Sequence, residues 1–131
     1  MLVKNAPDQT VDELKALAER ARADYDYEAA VGHFGRALAA LRADAQARHG
    51  DAASTATEFD LLARRAECYE WIGDYEAEQA DLRDMAHLAG KHDNLRWRVT
   101  VAMRWALIMP QLSQAERERV ADDAEIGRAH V

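Results

Sequence analysis

The sequence predicts an all-α protein built from stacked antiparallel helical hairpins. Its 131 residues contain only two prolines and six glycines, so few residues interrupt the helix formers. Apolar residues recur at steps of three and four, the spacing that places them on one face of a helix. A motif also repeats after 48 residues, because Asp26-Tyr27-Glu28-Ala29 returns as Asp74-Tyr75-Glu76-Ala77. Such a repeat is typical of units that bury their apolar faces by stacking on one another.

The first predicted hairpin spans about residues 11–49. Thr10 and Glu13 have the spacing of a capping box, in which each side chain satisfies a backbone N–H of the first helical turn. Asp24-Tyr25-Asp26 is predicted to end this helix and to cap the next one. Gly50 is predicted to follow the end of the second helix. That helix carries an apolar stripe formed by Val31, Phe34, Leu38 and Leu41.

The second predicted hairpin, over about 56–89, is the best formed. We expect a polar link at 51–57, a capping box of Thr55 and Glu58, and a tight turn at Gly73-Asp74. Gly90 is predicted to stop its second helix.

A third, incomplete hairpin is predicted over about 94–124, with Asp93 or Asn94 as the first cap and Ser113 with Glu116 as a further capping box. Trp97, Val101 and Trp105 share one face of its first helix, and this spacing favours a buried seam over stacking on nucleotides. One domain is therefore expected over 1–125. Residues 126–131 resemble a translated frame of a widely used sequencing adapter, so we expect them to be a non-native tail on a fragment of a longer protein.

The net charge of −7 disfavours binding to nucleic acid or to anionic membranes. Cys68 is the one cysteine, which fits a reducing compartment, and no apolar run suits a signal peptide or membrane span. A cytoplasmic location is expected. Asp84 and His87 lack the further ligands of a metal site, and no glycine loop suits a phosphate. We expect no enzyme activity, metal or cofactor.

The central hairpin resembles the tetratricopeptide repeat (TPR). The resemblance is carried by Ala66 and Tyr69, by the turn Gly73-Asp74-Tyr75-Glu76-Ala77, and by Ala30, Phe34 and Ala37 in the earlier copy. It implies a right-handed solenoid of about two and a half repeats, although the offset of 48 residues exceeds the usual 34 or so. Residues 61–96 look like TPR segments of large bacterial regulators, namely nucleotide cyclases and ATP-dependent signalling or transcription-activating proteins.

The resemblance implies a non-catalytic scaffold that binds a protein, a peptide or an adjoining domain. An alternative is a regulatory or sensor segment of a larger bacterial nucleotide cyclase or signalling ATPase. Self-association through the exposed end of the stack is a further expectation. The binding groove implied by the family geometry contains Lys15, Glu19, Arg22, Arg64, Glu67, Glu70 and Trp71. Glu19 and Glu67 disfavour a carboxylate ligand there, so a peptide with basic and apolar character is expected.

Overall fold

The computed structural model describes the backbone of residues 9–48 and 51–129 and the side chains of 9–45 and 51–122. Within these ranges the chain is helical and contains no strand, which confirms the all-α prediction. A short 3-10 helix, Met109–Gln111, precedes the last α-helix. The α-helices are α1 (Val11–Ala23), α2 (Tyr27–Arg48), α3 (Ala52–Ile72), α4 (Tyr75–Lys91), α5 (Leu95–Ile108) and α6 (Gln114–Ala129).

Three helix-to-helix turns share one backbone geometry. Each has a residue in the left-handed conformation, followed by a residue whose side chain caps the next helix. The backbone N–H of the capping residue donates to the carbonyl five residues earlier, at 2.8 to 3.0 Å. The left-handed and capping residues are Tyr25 with Asp26, Gly73 with Asp74, and Asp93 with Asn94. Since the first two turns lie 48 residues apart, the sequence repeat is also a repeat of turn structure.

Each helix from α1 to α4 packs against the next one along the chain, and α5 contacts the 3-10 helix Met109–Gln111. The core between them is apolar and includes the fully buried Phe34, Leu62 and Leu82. Phe59 of α3 stacks on Trp97 of α5, with ring centroids 4.5 Å apart. Trp97 and Trp105 are half-buried against this core, so the prediction that their face is a packing seam is confirmed.

The capping predictions are correct at Thr10 with Glu13 and at Ser113 with Glu116, where both reciprocal hydrogen bonds form. The predicted polar link at 51–57 is wrong. Asp51 caps α3 by accepting from the Ser54 N–H at 2.7 Å, and the helix begins six residues earlier than predicted.

Thr55 and Thr57 lie inside α3. Their hydroxyls donate hydrogen bonds to the backbone carbonyls of Asp51 and Ala53, so neither residue is a cap.

Helix α4 also passes through Gly90, the predicted stop, and ends at Lys91 because the left-handed turn falls at Asp93. Gly50 lies outside the described residues. Of the predicted non-native tail at 126–131, residues 126–129 continue α6, while His130 and Val131 lie outside the described residues. No described helix combines the length and the apolar character needed to cross a bilayer.

Candidate functional site

Helices α1 and α3 lie side by side and run in the same direction. Three ion pairs join them, each between a residue of α1 and the residue 45 positions later: Lys15 with Asp60, Glu19 with Arg64, and Arg22 with Glu67. All three have N···O distances of 3.0 Å. A constant offset over three pairs requires parallel helices in a fixed register. The structure thereby brings the predicted α1 and α3 residues onto one face.

Arg64 forms ion pairs with two carboxylates, those of Asp60 and Glu19. Its Nε donates to both Asp60 carboxylate oxygens at 3.1 Å, and its Nη1 donates to Glu19 at 3.0 Å. Burial opposes ionisation of Asp60, but the hydrogen bond from Lys15 and the charge of Arg64 outweigh it, so the pKa of Asp60 is lowered. These four side chains are about one-third exposed, which leaves them within reach of a ligand.

Arg104 of α5 extends this set of charges to a third helix. It lies 3.3 Å from Glu67 and 3.4 Å from Glu70, and Glu67 also accepts from Arg22 at 3.0 Å. We call the combined surface the ion-pair face. It consists of Lys15, Glu19, Arg22, Asp60, Arg64, Glu67, Glu70 and Arg104, and its four cations and four carboxylates leave it without net charge.

Sequence reasoning missed two members of this face, Asp60 and Arg104. Asp60 precedes Arg64 by four residues, the spacing of an intrahelical ion pair, and that signal was present in the sequence. Arg104 gave no such signal. It belongs to the face only because α3 and α5 also run parallel, with Phe59 opposite Trp97 and Glu67 opposite Arg104.

Trp71, the last predicted groove residue, belongs to an aromatic cluster at the end of the ion-pair face. Its indole stacks on the Tyr27 ring at 5.8 Å with an interplanar angle of 8°, and Tyr25 meets Tyr27 edge-on at 6.5 Å. Trp71 and Tyr25 are 68% and 79% exposed, so most of their area faces solvent. We call Tyr25, Tyr27 and Trp71 the aromatic cluster.

The segments that carry the aromatic cluster are acidic. Residues 24–28 contain Asp24, Asp26 and Glu28, and residues 70–76 contain Glu70, Asp74 and Glu76, with no lysine or arginine in either segment. Exposed aromatic faces in a negative potential attract cations, and the guanidinium of arginine stacks on them most readily. This end of the face therefore suits a cationic ligand group.

Glu78 of α4 lies beneath this face and is fully buried. Neither of its carboxyl oxygens accepts a hydrogen bond from a described residue. Burial, followed by the hydrogen bond that protonated Glu78 makes with the Glu70 carboxyl and by the charge of Glu70, raises the pKa of Glu78 to about 8, against the opposing charge of Arg104. At neutral pH the folded chain therefore holds Glu78 in its uncharged form.

The other buried polar groups of α4 are paired. Arg65 holds Asp81 through two hydrogen bonds of 2.6 and 3.0 Å, and Gln79 donates to Glu116 of α6 at 3.1 Å. These contacts fasten α4 to α3 and to α6.

Cys68 is fully buried. Burial, followed by the charge of Glu67, raises the pKa of Cys68 to about 11, which keeps it a thiol rather than a nucleophilic thiolate. Among the described residues no three His, Cys, Asp or Glu side chains are arranged to hold a metal ion.

Comparison of the chain with models of protein families, with curated proteins and with solved structures gives no match.

Proposed function

We propose that this chain is a non-catalytic, TPR-like interaction module whose ion-pair face and aromatic cluster hold a segment of a partner protein. Three features support a TPR-like stack: the equivalent turns at Tyr25 and Gly73, the parallel course of α1 and α3, and the parallel course of α3 and α5. Parallel first helices in successive hairpins are what a solenoid of stacked repeats requires.

The observation that carries the proposal is the convergence of residues from separate hairpins on one continuous face. That face ends in a stacked pair, in which Trp71 is exposed and Tyr27 is half-buried. Exposed tryptophan and tyrosine are the residues most often found to dominate binding energy at protein interfaces. Since the ion-pair face is internally balanced and the aromatic end is acidic, the partner we propose is a peptide segment with arginine or lysine next to apolar residues.

The alternative function, a regulatory segment of a larger bacterial nucleotide cyclase or signalling ATPase, uses the same face for an adjoining domain. The gene sequence on either side distinguishes the two. An adjacent catalytic domain favours the alternative, and a short reading frame without one favours an independent module.

The test is a selection of random displayed peptides on the immobilised chain, followed by affinity measurements on the enriched sequences. We expect enrichment of peptides that combine arginine or lysine with aromatic or aliphatic residues. Trp71→Ala should weaken their binding by about 2 kcal/mol, the size of an interface hot spot, or roughly 30-fold in Kd.

Leu95→Ala is the matched control, because Leu95 is 72% exposed but lies on α5, away from the ion-pair face. Its affinity for the selected peptides should equal that of the unmodified chain. Enrichment of acidic peptides, or equal losses in the two variants, would contradict the proposal.

A further inference from the structure

Helix α5 is apolar on two opposite sides. Trp97, Val101 and Ile108 face the core, while a second row of apolar side chains points to solvent. We call this second row the outer stripe; its members are Leu95 (72% exposed), Val99 (50%), Met103 (63%) and Leu107 (58%). Their regular spacing of four residues places them along one side of the helix. A contiguous exposed apolar patch with polar residues at its borders marks a surface that another molecule covers.

The charges on α5 are of one sign. The helix contains Arg96, Arg98 and Arg104 and no aspartate or glutamate, although the whole chain has a net charge of −7. At about 100° per residue, Arg96 and Arg98 lie on opposite borders of the outer stripe. Arg96 makes no ion pair with any described residue, and Arg98 pairs only with the exposed Asp93 at 2.9 Å.

A second copy of α5 is a poor cover for this stripe. In a two-fold antiparallel pairing, Leu95 would face Leu107 and Val99 would face Met103 of the other copy. Arg96 would then face Ala106, and Arg98 would face Arg104, whose guanidinium already pairs with Glu67 and Glu70. Since α5 contains no aspartate or glutamate, the second copy of this helix supplies no carboxylate to either arginine.

Another helix of a second copy is also a poor cover. Apart from the outer stripe, the large exposed apolar side chains of the described residues are Tyr25, Trp71 and Ile72, which form no stripe along a helix.

We therefore infer that the outer stripe of α5 docks an amphipathic helix of a partner protein, with carboxylates bordering the apolar stripe of that helix. The apolar rows would pack together, and the carboxylates would reach Arg96 and Arg98 at the borders. This surface is separate from the ion-pair face. It recognises a negatively charged helix, whereas the ion-pair face and the aromatic cluster are proposed to bind a positively charged segment.

The probes are two designed helical peptides of about five turns with the same leucine stripe, one bordered by glutamates and the other by lysines. Fluorescence anisotropy against the full chain measures both affinities. The glutamate peptide should bind about fivefold or more tightly than the lysine peptide, given up to about 1 kcal/mol for each exposed ion pair. Equal affinities would show unspecific apolar adhesion and would overturn the inference.

Two substitutions locate the binding. Met103→Glu, at an exposed position, should weaken the binding of the glutamate peptide at least tenfold. Ala86→Glu, on the surface of α4, is the control for the added charge. Arg96→Glu should shift the preference towards the lysine peptide, and this reversal is interpretable even if Met103→Glu proves unstable. Trp71→Ala should leave both affinities unchanged, which separates this surface from the proposed function.

Sedimentation of the chain without peptide tests whether the chain associates with itself. A mass that stays monomeric over the concentrations of the binding assay agrees with the inference. A dimer that Met103→Glu dissociates and that the glutamate peptide does not displace would assign the stripe to self-association and overturn the inference.

Discussion

At the scale of single residues, the buried Glu78 lowers the free energy of unfolding of the chain. It lies beneath the candidate site. Its carboxyl is fully buried, accepts no hydrogen bond from a described residue, and lies beside the carboxyl of Glu70. The other groups that act on it are Arg104 and Asp81. A buried carboxyl in this setting avoids the cost of a buried charge by keeping its proton.

The raised pKa of Glu78 fixes the direction of a pH effect on stability. The ordinary pKa is 4.5, and the folded chain raises it to about 8. Between these values the unfolded chain has lost the proton and the folded chain retains it. The free energy of unfolding therefore falls as the pH rises from about 4.5 to about 8, and this loss is complete above pH 8.

We predict that Glu78→Gln stabilises the chain at high pH. The amide stays neutral, so the variant should unfold at nearly the same urea concentration as the unmodified chain at pH 4.5 and should be more stable by roughly 2–4 kcal/mol at pH 9. Glu76→Gln removes the same charge from an exposed position on the same helix and is the control. Parallel stability curves for Glu78→Gln and the unmodified chain from pH 5 to pH 9 would contradict this account.

At the scale of the elements, the turn between α1 and α2 is strained where the equivalent later turn is not. Tyr25 adopts a left-handed conformation with φ of 64°, and its counterpart 48 residues later is Gly73 with φ of 87°. A side chain in this region costs about 1 kcal/mol or more, whereas glycine adopts it freely. The strained backbone conformation of Tyr25 places its exposed ring in the aromatic cluster, which is consistent with a binding role.

We predict opposite effects of substitution at these two turns. Tyr25→Gly should raise the free energy of unfolding by about 0.5–1 kcal/mol, because it relieves the backbone strain. Gly73→Ala should lower it by about 1 kcal/mol; an added Cβ would meet no atom within 4 Å, so that loss comes from the backbone alone. Urea unfolding measures both. A Tyr25→Gly variant less stable than the unmodified chain would contradict the strain argument.

Most element boundaries were predictable from local chemistry, because a cap needs only residues a few positions apart. Thr10 with Glu13 and Ser113 with Glu116 are examples. The start of α3 was mispredicted because two local caps competed, and Asp51 acts as the cap instead of Thr55. Gly90 was mispredicted because a glycine in a helix is tolerated when the left-handed turn is supplied later, by Asp93.

At the scale of the whole molecule, the register between helices determines which residues meet in the candidate site. The residues of α1 meet those of α3 across 45 positions of sequence, and α5 adds Arg104. A repeat in the sequence predicts that such helices are neighbours, but not which charges pair. The closeness of α1 and α3 was therefore predictable, whereas their ion pairing and the contribution of Arg104 were not; that these residues line a binding groove stays a prediction.

Helices α1 and α5 differ in the surfaces that they expose to solvent. On the α1 side, the exposed residues include Asp12, Glu13 and Arg20, so this surface is polar. On the α5 side, the outer stripe is apolar. In the TPR-like stack that we propose, both ends need polar surfaces, so a cover over the apolar side of α5 is expected.

The most direct test of the central claim, that the ion-pair face and the aromatic cluster bind the partner segment, is a map of amide chemical-shift changes on adding an arginine-containing peptide from the selection. We predict that the changes concentrate on residues 15–27 and 60–71 and at Arg104, with the Trp71 indole N–H among the largest. Changes confined to α4, α6 or the outer stripe of α5, with residues 15–27 and 60–71 unaffected, would contradict the claim.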